Sequence, residues 1–137
     1  MKIVGFACQW CAYRSADLAG TLKYEYPSSI SLVKVPCSGR VEAEFILKAL
    51  ADGADGVFVA GCPKNECHYR RGNFVAEMRT SILSNILPEF GLESSRIAFL
   101  EVSSSDAKKF VEFARKFDER VRNLGKNPIR RDFNEKD

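Results

Sequence analysis

Four short apolar runs, separated by segments of helical periodicity, constrain this chain more than any other feature. Lys2 to Ala7 ends at Cys8, Ile30 to Val35 ends at Pro36-Cys37, and Gly56 to Ala60 ends at Gly61-Cys62. The fourth, Arg96 to Val102, ends in Ser103-Ser104-Ser105. Each is rich in Val, Ile, Leu or Phe and bounded by turn residues, the pattern of a buried strand. Between them, Val41, Phe45, Ala49 and Leu50 fall at helical spacing before Asp52-Gly53, a helix stop. Phe74, Met78, Ile82, Ile86 and Phe90 recur every four residues ahead of Gly91. Phe110, Ala114, Phe117, Val121 and Leu124 do the same, with Ser103 to Asp106 offering N-caps. A first helix over Ser15 to Tyr24 has a thin stripe of Ala16, Ala19 and Leu22. Strand and helix in alternation, with short connections, predict an α/β fold: a single doubly wound, flavodoxin-like, four-stranded parallel sheet flanked by helices, in order 2-1-3-4.

A chain of 137 residues, 45% hydrophobic and 28% charged, suffices for one domain with its own core. The expected division is a domain over residues 1–124 and a polar, charged tail over 125–137. No run approaches the roughly 20 apolar residues that cross a bilayer, and the start reads as a strand rather than a signal peptide. A cytoplasmic protein is expected, with no membrane association. A net charge of +3 falls short of the dense basic patches of nucleic-acid binders, so no nucleic-acid partner is expected. It would suit an acidic protein surface, although most such surpluses are only solvated faces.

Cysteine placement carries the chemistry. Cys8 and Cys11 form C-x2-C, Cys37 follows after 25 residues, and Cys62 and Cys67 form C-x4-C after 24 more. An odd number in a reducing compartment argues against a disulfide framework. In a parallel sheet all strand carboxyl ends share one edge, where ligands bind. Cys8, Cys37 and Cys62 follow strands 1, 2 and 3, and Cys11 and Cys67 lie in the loops leaving strands 1 and 3, so five sulfurs converge on one crevice. Convergent thiolates suit zinc or an iron–sulfur cluster. Zinc usually takes two C-x2-4-C knuckles and folds domains that lack a core. This chain has a core, which favours the cluster. Four ligands suffice, leaving one cysteine spare or alternating. Small residues in Cys37-Ser38-Gly39 and Gly61-Cys62 let backbone N–H groups approach sulfur.

Other readings compete. Cys8-Gln9-Trp10-Cys11 at a strand-to-helix turn also suits a thiol–disulfide oxidoreductase, and the five sulfurs suit a zinc-stabilised adaptor. A flavin is disfavoured because Trp10 and the cysteines stand where a phosphate cradle wants small residues. His68 is either a ligand, a proton gate or a plain loop residue. Arg70 and Arg71 either neutralise an anionic cluster or form a solvated turn. Trp10 is a partner-facing aromatic or a lid over the site. No phosphate loop, catalytic triad or paired-carboxylate pattern appears.

Three motifs in order give the sequence a resemblance: Phe6-Ala7-Cys8-Gln9-Trp10-Cys11, Val35-Pro36-Cys37-Ser38-Gly39-Arg40 and Gly61-Cys62-Pro63-Lys64-Asn65-Glu66-Cys67-His68-Tyr69. Together they resemble the delta subunit of methyl-viologen-reducing hydrogenase, from Lys2 to about Leu124, with all five motif cysteines present. The resemblance implies a 2Fe–2S cluster held by four of Cys8, Cys11, Cys37, Cys62 and Cys67. It also implies a non-catalytic electron-transfer subunit of an oxidoreductase complex in methanogenic or related anaerobes. The implied donor is a hydrogenase or formate dehydrogenase. The implied acceptor is the flavin-containing, A-type subunit of heterodisulfide reductase.

Overall fold

The computed structural model describes residues 1–23, 25–38, 41–62 and 72–128. Four parallel strands, β1 (Ile3–Cys8), β2 (Ile30–Val35), β3 (Gly56–Gly61) and β4 (Ile97–Glu101), form one sheet in the order β2-β1-β3-β4. This is the expected 2-1-3-4 arrangement. Among the described residues, four α-helices cover it: α1 (Ala12–Thr21), α2 (Ala43–Ala51), α3 (Gly72–Ile86) and α4 (Ala107–Leu124). Helix α1 starts three residues before the expected Ser15, and Arg96 closes a 3-10 turn instead of opening β4.

Strand β3 is buried along its whole length, as a central strand covered on both faces must be. Its alternating side chains serve two cores. Phe58 and Ala60 join α1 and α4, while Val57 and Val59 join α2 and α3. Glycines set the spacing: a Cβ on Gly5 would overlap the Phe58 ring, and one on Gly56 would lie 2.7 Å from Val121. Helix α4 keeps the expected stripe, with Phe110, Ala114, Phe117 and Val121 buried and Asp106 accepting from the Lys109 N–H at 3.1 Å as N-cap.

The α3 stripe differs from expectation. Met78, Ile82 and Phe90 are exposed, and the residues facing the sheet are Ala76, Thr80, Leu83 and Leu87. At about 100° per residue, Met78 and Ile82 stand roughly 160° and 120° around the helix from Ala76, on the side away from the sheet.

The amino edge of the sheet is fastened by buried polar groups. Asp55 accepts from the Lys2 N–H at 2.8 Å and the Asn127 N–H at 2.7 Å, and the Asn127 amide donates to the carbonyls of Leu50 and Ala54. Fully buried Arg96 pairs with Glu93 and donates to the carbonyls of Asp55 and Gly125. A buried charge needs such compensation. Both ends of the described chain are thereby held at the edge opposite the cysteines, and residues 129–137 lie outside the described residues.

Candidate metal centre at the carboxyl edge of the sheet

Each cysteine owes its place to the end of a strand. Cys8 is the last residue of β1, and Cys11 is the N-cap of α1, which makes no side-chain capping bond. Cys37 lies two residues beyond β2 and Cys62 one beyond β3. All four are buried, and none is joined in a disulfide. Cys67 lies outside the described residues, as do His68, Arg70, Arg71, Gly39 and Arg40.

Adjacency of β1 and β3 brings two sulfurs together: Cys8 Sγ and Cys62 Sγ are 3.8 Å apart. The Cys11 thiol also reaches Cys62, and Cys8 Sγ lies 4.0 Å from the carbonyl of Pro36, the residue before Cys37. Three strand ends thus meet at Cys8. Glycine at position 61 is required here, because a Cβ would lie 2.6 Å from the buried Ser38 Oγ and displace the chain leading into Cys62. No spacing rule could have shown that contact between loops.

The surroundings favour a thiolate. The Cys62 thiol holds Cys8 at about 6; burial opposes this, and backbone N–H groups of Trp10, Cys11 and Ser38 assist it. Donation to Cys8, burial, and the neighbouring Cys11 push Cys62 up. The pair therefore keeps one proton between two sulfurs, which a metal ion would displace. Two thiolates on one tetrahedral metal, each bonded at about 2.3 Å, sit about 3.8 Å apart, so the Cys8–Cys62 separation fits a shared tetrahedral metal. The soft donor set and amide N–H groups aimed at sulfur fit an iron–sulfur cluster. Among the described residues, no three His, Cys, Asp or Glu side chains gather as a metal site.

Trp10 is half-buried against the α1/α4 core, with the Arg14 guanidinium 5.3 Å above its ring. Arg14, Tyr13 and Lys34, which line a cleft beside it, are not legible as site residues in the sequence because their contacts join different elements. No helix among the described residues is long and apolar enough to cross a membrane.

Comparison with known proteins agrees with the motifs. The family of the methyl-viologen-reducing hydrogenase delta subunit matches residues 3–125. The D-type iron-sulfur subunit of the F420-non-reducing hydrogenase of Archaeoglobus profundus is 49% identical over 124 residues, covering 90% of each chain. The corresponding subunit of Methanopyrus kandleri is 46% identical over 123 residues, covering 90% of this chain and 93% of its own. A third relative, the A-type subunit of the ferredoxin/F420H2-dependent CoB-CoM heterodisulfide reductase of Methanosarcina acetivorans, is 42% identical over 131 residues. That match covers 96% of this chain and 16% of the relative, so a homologous domain there is part of a much longer polypeptide. With nearly its full length matched and Cys8, Cys37 and Cys62 at the ends of β1, β2 and β3, this chain belongs to the methyl-viologen-reducing hydrogenase delta subunit family.

Proposed function

We propose that the chain is a cytoplasmic, non-catalytic electron-transfer subunit of an oxidoreductase complex, working through a 2Fe–2S cluster held by four of Cys8, Cys11, Cys37, Cys62 and Cys67. The observation that carries this reading is the buried Cys8–Cys62 pair, 3.8 Å apart across adjacent strand ends. Relatives named as iron-sulfur subunits of a hydrogenase support the cofactor class and a hydrogenase partner. Relatives named as the A-type subunit of heterodisulfide reductase support that polypeptide as the acceptor, by way of a domain carried within the same chain. A hydrogenase or formate dehydrogenase is the donor, in the electron flow of methanogenesis or a related anaerobic metabolism.

A bound cluster would supply one-electron exchange at the sheet edge. The residues of this chain do the rest. Cys8 enters as a thiolate, and Cys62 gives up its proton on binding. Backbone N–H groups of Trp10, Cys11 and Ser38 point at the Cys8 sulfur and stabilise its negative charge. Burial of all four described cysteines keeps water from the thiolates. The pairing of Cys8 with Cys62 favours this reading over a dithiol built on Cys8 and Cys11 alone.

Anaerobic purification with iron and acid-labile sulfide analysis tests it, together with EPR of the dithionite-reduced protein. About two irons and two sulfides per chain, with a spin-half signal, are expected for this cluster. Serine at Cys8 or Cys62 should abolish the signal. Stoichiometric zinc, or a reversible disulfide without iron after anaerobic reconstitution, would overturn the proposal.

A further inference from the structure

Beside the Cys8–Cys11 turn, where α1 meets the edge strand β2, lies a cleft of about 290 Å³ lined by Gln9, Trp10, Tyr13, Arg14, Asp17 and Lys34. Two cations stand on its walls, each set over an aromatic ring. The Arg14 guanidinium lies 5.3 Å from the centre of the Trp10 ring, and the Lys34 ammonium lies 5.2 Å from the centre of the Tyr13 ring. An aromatic face orients a cation without neutralising it. Both side chains are exposed, and among the described residues neither takes part in an ion pair. Among the described residues, Asp17 is the one acidic side chain on the walls.

Position gives the cleft its meaning. Lys34 is paired in register with Ala7, the residue before Cys8, and β2 is an edge strand, so this side of the sheet is open. Trp10 belongs to both places: its backbone N–H points at the Cys8 sulfur while its ring forms a wall of the cleft. Trp, Tyr and Arg are also the residue types enriched where protein surfaces bind one another.

We propose that the Trp10/Arg14/Tyr13/Lys34 cleft is a docking surface for the acidic face of a redox partner protein, its carboxylates meeting Arg14 and Lys34. The idea rests on the electron-transfer reading for its purpose, but not for its test. Docking here would set the partner's surface against Gln9 and Trp10, the two residues between Cys8 and Cys11. Opposite charge across such a contact governs association rate and orientation.

The experiment uses the full chain and a purified A-type subunit of heterodisulfide reductase that carries no fused copy of this domain. Arg14→Glu/Lys34→Glu and the milder Arg14→Gln/Lys34→Gln are compared with the parent chain. Affinity is read by calorimetry, and electron transfer by stopped flow, at low and high salt. Charge reversal should weaken association by roughly tenfold or more at low salt. It should also remove most of the salt dependence, with the glutamine variant between the two. Iron content, the EPR signal and circular dichroism should be unchanged in both. Zero-length carbodiimide coupling of the parent chain should join Lys34 to an Asp or Glu of the partner. Parental affinity and salt dependence in the charge-reversed variant would overturn the docking surface. So would Lys34 left uncoupled while other lysines couple. Absence of iron in the parent chain would count against the cluster and leave the affinity comparison readable.

Discussion

Helices α3 and α4 cover opposite faces of the same sheet, and their apolar residues mislead and inform for the same geometric reason. On α4 the buried residues Phe110, Ala114, Phe117 and Val121 are separated by four, three and four positions, close to the helical repeat. On α3 and the 3-10 turn that follows it (Leu87–Phe90), the conspicuous residues Phe74, Met78, Ile82, Ile86 and Phe90 are separated by four each time. At about 100° per residue, Met78 and Ile82 fall roughly 160° and 120° around α3 from Ala76, whereas Ile86 falls nearer the buried side and is partly buried against the core. Met78 and Ile82 are accordingly 63% and 55% exposed, and Phe90, in the 3-10 turn after α3, is 68% exposed. The residues that do pack, Ala76, Thr80, Leu83 and Leu87, repeat the four-three-four spacing of α4. Size and hydrophobicity draw attention to the wrong face of α3. Period identifies the right one.

The largest effects should come from truncating the two buried faces. Phe117 makes an edge contact with Phe58 and stacks on Phe113, with ring centres 5.8 and 5.7 Å apart. Phe117→Ala should cost about 3–5 kcal/mol in urea denaturation. Leu83→Ala on α3 should cost about 2–5 kcal/mol, as the loss of a buried leucine does. A Leu83→Ala cost well below that of Met78→Ala would break the comparison, because α3 would then be rotated with its four-residue stripe inward.

The same distinction between local period and non-local contact explains what is legible in the sequence. Strand order follows from alternation and short connections, which are local properties, and so does the placement of Cys8, Cys37 and Cys62 at strand ends. The closeness of Cys8 to Cys62 then follows from β1 lying beside β3. Start and stop signals differ in clarity. Asp106 is a regular N-cap, whereas α1 opens at Cys11 without a capping side chain, so its apolar stripe alone places the start three residues late. Contacts between distant segments leave no trace in spacing. Asn127, in a stretch that reads as polar tail, is fully buried and bonded to Leu50, Ala54 and Asp55. Ser38 packs against Gly61, and Lys34 lies over Tyr13, by meetings that only the folded chain creates.

An intermediate effect should separate the helices by pH. On α4, burial raises Asp118, but the Ser29 hydroxyl at 2.5 Å and the Arg122 guanidinium at 2.8 Å hold its carboxyl below the usual range. A depressed folded value stabilises the protein above the unfolded carboxylate pKa, near 4, and that stability is lost as pH falls through the folded value. Asp118→Asn should lower stability at neutral pH by on the order of 1 kcal/mol. It should also flatten the acid limb of an unfolding-versus-pH curve. An unchanged acid limb would show that α4 is not held through this carboxylate.

The smallest effect is the most discriminating. Met78→Gln/Ile82→Gln removes two large exposed side chains of the α3 repeat. Were they core residues, each change would bury an amide in place of a hydrocarbon side chain and cost several kcal/mol. On an outward face, each should alter stability by no more than about 0.5 kcal/mol. Glutamine also has a higher helix propensity than isoleucine, so the balance at position 82 leans toward stabilisation. The expected outcome is an unfolding midpoint and slope matching the parent chain, with cysteine reactivity at the carboxyl edge of the sheet unaltered. A large loss would place Met78 and Ile82 inside and return the four-residue stripe to the core.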